Sequence, residues 1–181
     1  MHVPIVTRLM TPLLGVKDNM DEIDIAYIAG LFDGEGNICI GVHRVKRERH
    51  YILPSHSLQC SISNGNKEVL DWIQEMYGGY VSTSTYSDKK KNWDDCYTWR
   101  VHSNSACTFL SLIQPYLRIK QKQAELAIIF HTERKDIRNM PMDFKLKELN
   151  RREYYRREIG KLNQGNIKLI GPIKHIYNEV I

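Results

Sequence analysis

Ile28-Ala29-Gly30-Leu31-Phe32-Asp33-Gly34-Glu35-Gly36 is the stretch on which the rest of the chain turns. Ile23, Ala26, Tyr27, Gly30 and Leu31 recur at helical spacing, which predicts the last two turns of a helix ending near Phe32. Ala26, Ala29 and Gly30 keep one side of that helix thin. Glycine within a helix costs roughly 1 kcal/mol relative to alanine, a cost recovered where two backbones approach closely, so the thin side predicts contact with another helix. Gly34 and Gly36 flank Glu35, allow an abrupt turn, and present its carboxylate beyond the helix terminus. A helix C-terminus repels negative charge. A bound cation at Glu35 resolves that conflict.

Composition bounds the remainder. A chain of 181 residues that is 42% hydrophobic is ordinary for one domain with a sizeable core. The formal charge of +5 and pI near 9.0 point toward a polyanionic partner. Cys39, Cys60, Cys96 and Cys107 show neither C-x-x-C spacing nor clustering with histidine, which argues against zinc and for free thiols in a reducing compartment. The longest apolar runs, such as Leu126 to Phe130, are too short to span a bilayer, and neither a membrane partner nor a small-molecule substrate is expected. The first twenty residues, interrupted by Pro4 and Pro12, lack a secretory apolar core and read as an N-terminal arm, so the expectation is a soluble intracellular protein, with an organelle still open.

After Gly36 the period becomes alternating. Ile38, Ile40 and Val42 share one strand face, with Cys39, Gly41 and His43 on the other. Arg44, Lys46, Arg47 and Arg49 then form a basic hairpin connection. The return strand turns Leu58, Cys60 and Ile62 inward and Ser57, Gln59, Ser61 and Ser63 outward. Asn66 is placed to cap a helix from Lys67 to about Met76. A second hairpin follows, with Tyr80, Ser82, Ser84 and Tyr86 outward on one strand, Lys89-Lys90-Lys91 in the loop, and Arg100 outward on the strand from Cys96 to Ser103. A helix from Asn104 to just before Pro115 comes next. A charged helix from Phe144 to Ile159 is closed by Gly160, and its arginines either grip phosphates or pair along a solvated surface. Polar side chains on such a sheet can hydrogen-bond base edges in a major groove.

The nine-residue run resembles the signature of the LAGLIDADG homing endonucleases, with Ala29, Gly30, Leu31, Asp33 and Gly36 matching literally and Ile28, Phe32, Gly34 and Glu35 as close replacements. The resemblance extends over roughly Ile25 to Phe130, including Gln114-Pro115-Tyr116-Leu117-Arg118-Ile119-Lys120-Gln121-Lys122-Gln123-Ala124. It implies an α+β fold in the order α-β-β-α-β-β-α, with a four-stranded antiparallel DNA-binding sheet on a core over 21–135 and a C-terminal helical extension over 136–181. It also implies a double-strand DNA endonuclease dependent on magnesium or manganese. Glu35, with the Gly34 carbonyl, matches the metal position, Lys120 the lysine beside the scissile phosphate, and Asn64 a polar residue that holds metal-bound water. Glutamate at residue 35 departs from the motif's aspartate, and asparagine at residue 64 from the glutamine of some members. DNA contacts are expected from Cys39, Gly41, His43, Arg44, Lys46, Arg47, Ser57, Gln59, Ser61, Ser82, Ser84, Lys89 and Arg100. No second copy of the motif follows, so the resemblance implies a homodimer whose seam holds Ala26, Ala29, Gly30 and Asp33. A non-cutting nucleic-acid binder on the same scaffold, an intron RNA maturase or a DNA-binding regulator, is the alternative.

Overall fold

A computed structural model describes residues 21–43, 46–47, 50–51, 53–84 and 96–164. The N-terminal arm, Arg44, the loop with Lys89, and residues 165–181 lie outside the described residues. Helix α1 spans Glu22–Glu35 and begins at Asp21, whose carboxylate accepts the Ile23 N–H at 3.3 Å, with Glu22 and Asp24 favourably placed in its positive first turn. The helix does not stop near Phe32. It runs through Gly34 and Glu35, and strand β1 (Gly36–His43) starts at the next residue with no loop between.

A short ribbon, β2 (Lys46–Arg47) with β3 (His50–Tyr51), lies within the basic connection to β4 (Ser55–Asn64). Helix α2 (Lys67–Tyr77) is capped by Asn66, whose Oδ1 accepts from the N–H groups of Glu68 and Val69, and ends at Gly78 and Gly79 in the left-handed region. Strands β5 (Tyr80–Ser84) and β6 (Cys96–His102) precede α3 (Ser103–Ile113), a 3₁₀ turn at Gln114–Tyr116, α4 (Gln121–Thr132) and α5 (Met142–Gln164). Among the described residues no helix is long and apolar enough to cross a membrane.

The main sheet is antiparallel in the order β1-β4-β6-β5, two hairpins joined through their second strands. Ile38, Ile40, Leu58, Cys60, Ile62, Trp99 and Val101 are buried on one face, as the alternation predicts. The helices pack there around Phe109, whose ring meets Trp99, Tyr77 and Phe32 edge-on at centroid separations of 4.9, 5.1 and 5.3 Å.

The fifth helix differs from its sequence reading in two ways. Gly160 lies inside it rather than ending it, and its charges are not all on a solvated surface. Ile159 enters the core and α5 packs on β1 and α4. Glu148, Arg152 and Glu153 are buried and paired: Arg151 and Arg152 both hold Glu148 at 2.9 Å, and Arg156 and Arg157 hold Glu153 at 2.6 and 3.1 Å. Burial alone would raise the Glu153 pKa. Arg156 foremost, with His56 and Arg157, outweighs it and keeps the carboxyl well below the usual range.

Candidate DNA-cleavage site

The last turn of α1 carries two acids with different fates. Residues two apart on a helix lie about 200° around its axis, so Asp33 and Glu35 cannot face the same way. Asp33 shares the inward face with Ile28, Ala29 and Phe32. Its Oδ2 accepts the backbone N–H groups of Arg118 and Ile119 at 2.6 and 3.1 Å, and its Oδ1 accepts that of Lys120 at 2.9 Å. Burial would raise the Asp33 pKa, but these three amide donors prevail and lower it below the ordinary aspartate value. The carboxylate also sits at the N-terminus of α4, where negative charge is favoured. Asp33 therefore pins the segment before α4 to the end of α1.

That pinning places Lys120. Its ammonium donates to the main-chain carbonyl of Asp33, within the helix end that carries Glu35. Glu35 is exposed. Gly36 is required by close approach, since a Cβ there would collide with the ring and carbonyl oxygen of Phe32, to which the Gly36 N–H is hydrogen-bonded. Register puts Asn64 at the same end: Gly36 opposes Ile62, and Asn64 is two residues farther along β4. Its Oδ1 accepts the Asn66 N–H at 2.8 Å, which commits that oxygen to the turn before α2 and leaves the amide Nδ2 as the group available to a water.

The sheet face away from the helices carries Cys39, Gly41 and His43 on β1, Ser57, Gln59 and Ser61 on β4, Arg100 and His102 on β6, and Ser82 on β5, while the Ser84 side chain lies outside what the structure describes. Arg100 donates to the Ser82 hydroxyl at 2.5 Å, and the Cys39 thiol lies 3.7 Å from Gln59 Oε1. A side chain on Gly41 would press on the Gln59 amide, 2.7 Å from Nε2, so the glycine makes room for it. Ser57 lies on this face by register, but its hydroxyl is buried without a hydrogen-bond partner among the described residues. Lys46 and Arg47 form the short ribbon.

The expected seam residues split into two pairs. Ala29 and Asp33 are buried within their own chain, so neither is a contact surface for a second body, whereas Ala26 and Gly30 are exposed. The exposed stripe of α1 runs through Ile23, Ala26, Tyr27, Gly30 and Gly34, with Ile23 at 73% and Tyr27 at 55% exposure. Sequence reasoning missed the bonding of Asp33. The signal was its i,i+4 spacing from the apolar Ala29, which assigns both to one face.

A sequence profile described as LAGLIDADG endonuclease matches residues 28–132, more than half of the 181 residues. The chain belongs to the LAGLIDADG endonuclease family. Its fold is that of LAGLIDADG homing endonucleases of known structure. I-CvuI in complex with its target is 21% identical with a TM-score of 0.62, covering 87% of this chain and 94% of that one. The archaeal intron-encoded homing endonuclease I-Vdi141I, complexed with DNA, is 17% identical with a TM-score of 0.64 over the same shares, 87% and 94%. I-LtrWI bound to target DNA is 15% identical with a TM-score of 0.56; 88% of this chain is covered, but only 49% of that one. No curated protein sequence matches. Relative to the α-β-β-α-β-β-α order implied by the LAGLIDADG signature, the structure adds the β2–β3 ribbon, the 3₁₀ turn and the helix α4, while α5 lies in the C-terminal helical extension that the sequence leads one to expect.

Proposed function

We propose that this chain is a sequence-specific homing endonuclease that acts as a homodimer and hydrolyses one phosphodiester in each strand of a long, near-palindromic DNA site. One observation carries the reading. An exposed carboxylate, Glu35, and an ammonium, Lys120, share one helix end, and that end opens directly into the strand bearing the polar outward face.

Self-association is supported by α1. A Cβ built on Gly30 or Gly34 meets nothing within 4 Å, so the chain's own packing requires neither glycine. Each still costs the helix roughly 1 kcal/mol, and a second α1 lying against the stripe recovers it by close backbone approach. The half-length match to I-LtrWI agrees with a working body of two such units.

The donor set fits magnesium or manganese. Glu35 and the Gly34 carbonyl are hard oxygen ligands, and among the described residues no group of three or more His, Cys, Asp or Glu could hold a metal within one chain. A second subunit's Glu35 and phosphate oxygens would complete the set. A bound divalent ion supplies activation of water and stabilisation of the leaving oxygen. Glu35 binds, Lys120 offsets charge on the phosphate, and the Asn64 amide orients water. Gln59, Ser61, Ser82 and Arg100 meet base edges, while basic residues at the hairpin tips meet phosphates.

Incubating the full chain with randomised duplex DNA and magnesium, then sequencing the cut ends, tests the activity. Glu35→Gln keeps shape and hydrogen bonding but removes the charge a hard cation requires. It is expected to abolish cutting while changing specific DNA affinity by less than roughly tenfold. Cutting by Glu35→Gln at the unsubstituted rate would refute the mechanism. Binding of a duplex or an intron RNA without any cutting in metal would establish the non-cleaving alternative.

A further inference from the structure

The strand that begins immediately after Glu35 is an edge strand among the described residues: in the order β1-β4-β6-β5, its one ladder is to β4. An edge leaves alternate carbonyls without ladder partners. At the start of β1 one of them is met by a side chain from far away in sequence. Asn163, in the last turn of α5, donates from Nδ2 to the Ile38 carbonyl at 2.7 Å and lies 3.3 Å from the Asn37 Oδ1.

The placement matters because helix α1 passes into β1 without a loop, so the Glu35 backbone has no slack of its own. On its helix side it is held by Asp33, through the three amides at 118–120, and by Phe32 against Gly36. On its strand side the ladder to β4 holds one edge of β1 and Asn163 the other, roughly 10 Å along the strand from Glu35. From this geometry we infer that Asn163 is a positioning residue for Glu35, tying α5 to the first residues of β1 and fixing the direction in which the carboxylate is presented to metal and phosphate. The inference rests on the endonuclease reading above. It also gives α5 a part in the chemistry, through its end rather than its arginines.

Partners that orient a metal ligand typically contribute 10–100-fold to metal affinity or activity. In the full chain, Asn163→Ala is therefore expected to slow single-turnover cutting about tenfold or more and to raise the half-saturating magnesium concentration. Affinity for the target, measured in calcium, should change by less than about threefold, since Asn163 reads no base. In the metal-free protein, amide exchange at Asn37 and Ile38 should accelerate while that of α1 does not. Asn163→Gln, which retains a donor amide, should recover most of the rate. An unchanged cutting rate in Asn163→Ala overturns the inference and leaves the endonuclease reading intact. So does a rate that falls only in step with DNA affinity and melting temperature, which marks a merely structural contact. If the unsubstituted chain cuts no duplex while the Asn37 and Ile38 amides still respond, the endonuclease reading fails and the assigned role with it.

Discussion

Replacing Asp33 by asparagine tests whether that residue builds the site from behind. Asp33 is 8% exposed, and its carboxylate accepts three backbone N–H groups, two on Oδ2 and one on Oδ1. An amide oriented with its oxygen toward Arg118 and Ile119 keeps two of these as neutral hydrogen bonds and points its NH₂ at the Lys120 N–H. Each retained bond then loses about 1 kcal/mol of charge assistance, and the third, worth about 2 kcal/mol, is replaced by opposed donors. The expected loss is about 4 kcal/mol, a large share of the ~5–15 kcal/mol that stabilises an ordinary domain. Urea unfolding monitored by circular dichroism measures it. The denaturation midpoint should fall, and amides 118–120 should exchange faster than those of the α3 interior. Cutting should also fall even where the protein remains folded, because the segment that carries the Lys120 ammonium loosens. A stability change below about 0.5 kcal/mol, the scale of an ordinary surface substitution, would refute the claim that Asp33 anchors this segment.

Other outcomes follow from the same geometry. Gly30→Leu places a bulky side chain on the exposed face of α1, where the monomer has open space; sedimentation should show loss of the dimer with the monomer's melting temperature nearly unchanged, and cutting should be lost with it. Arg100→Ala and Gln59→Ala should relax preference at individual base pairs, whereas Lys89→Ala should weaken all sites alike and make affinity less salt-dependent, as competition binding over a site library and a salt series would reveal. Asp33 and Glu153 both have lowered pKa values in the fold, so their ionised forms stabilise it fully above the unfolded values near 4, and that contribution is lost as pH falls through the folded ones. The urea midpoint should therefore drop steeply below about pH 4, and Glu153→Gln should lower it at neutral pH while flattening the acid slope.

What was legible in the sequence was what local periodicity can carry. Period-two alternation placed Ile38, Leu58, Ile62, Trp99 and Val101 in the core and Gln59, Ser61 and Arg100 on the opposite face, because strand geometry allows no third option. The stripe Ile23, Ala26, Tyr27, Gly30 was equally visible, although only coordinates show that it is the face left open rather than the face against the core. The fifth helix hid its packing because its buried face includes charges. Glu148 and Glu153 are buried because arginines pair with them, Arg152 from inside and Arg151, Arg156 and Arg157 from partly exposed positions, and a string of such residues reads as solvated until the pairing is seen.

The least legible contacts are those that hold the helix end carrying Glu35. Asp33 meets amides 85 to 87 residues away, and Asn163 meets Ile38 across 125. No repeat or spacing links such positions. Yet one physical rule applies to both acids of the motif: a carboxylate in the last turn of a helix faces the negative end of the macrodipole and needs compensation. Asp33 obtains it from the N-terminus of α4. Glu35 is exposed, and in the proposed function a bound divalent ion supplies it. Applied to Asp33 as well as to Glu35, the rule separates the acid that is consumed by the fold from the acid that is available for chemistry. Asp33 sets Lys120 in place, and Glu35 is left exposed at the same helix end.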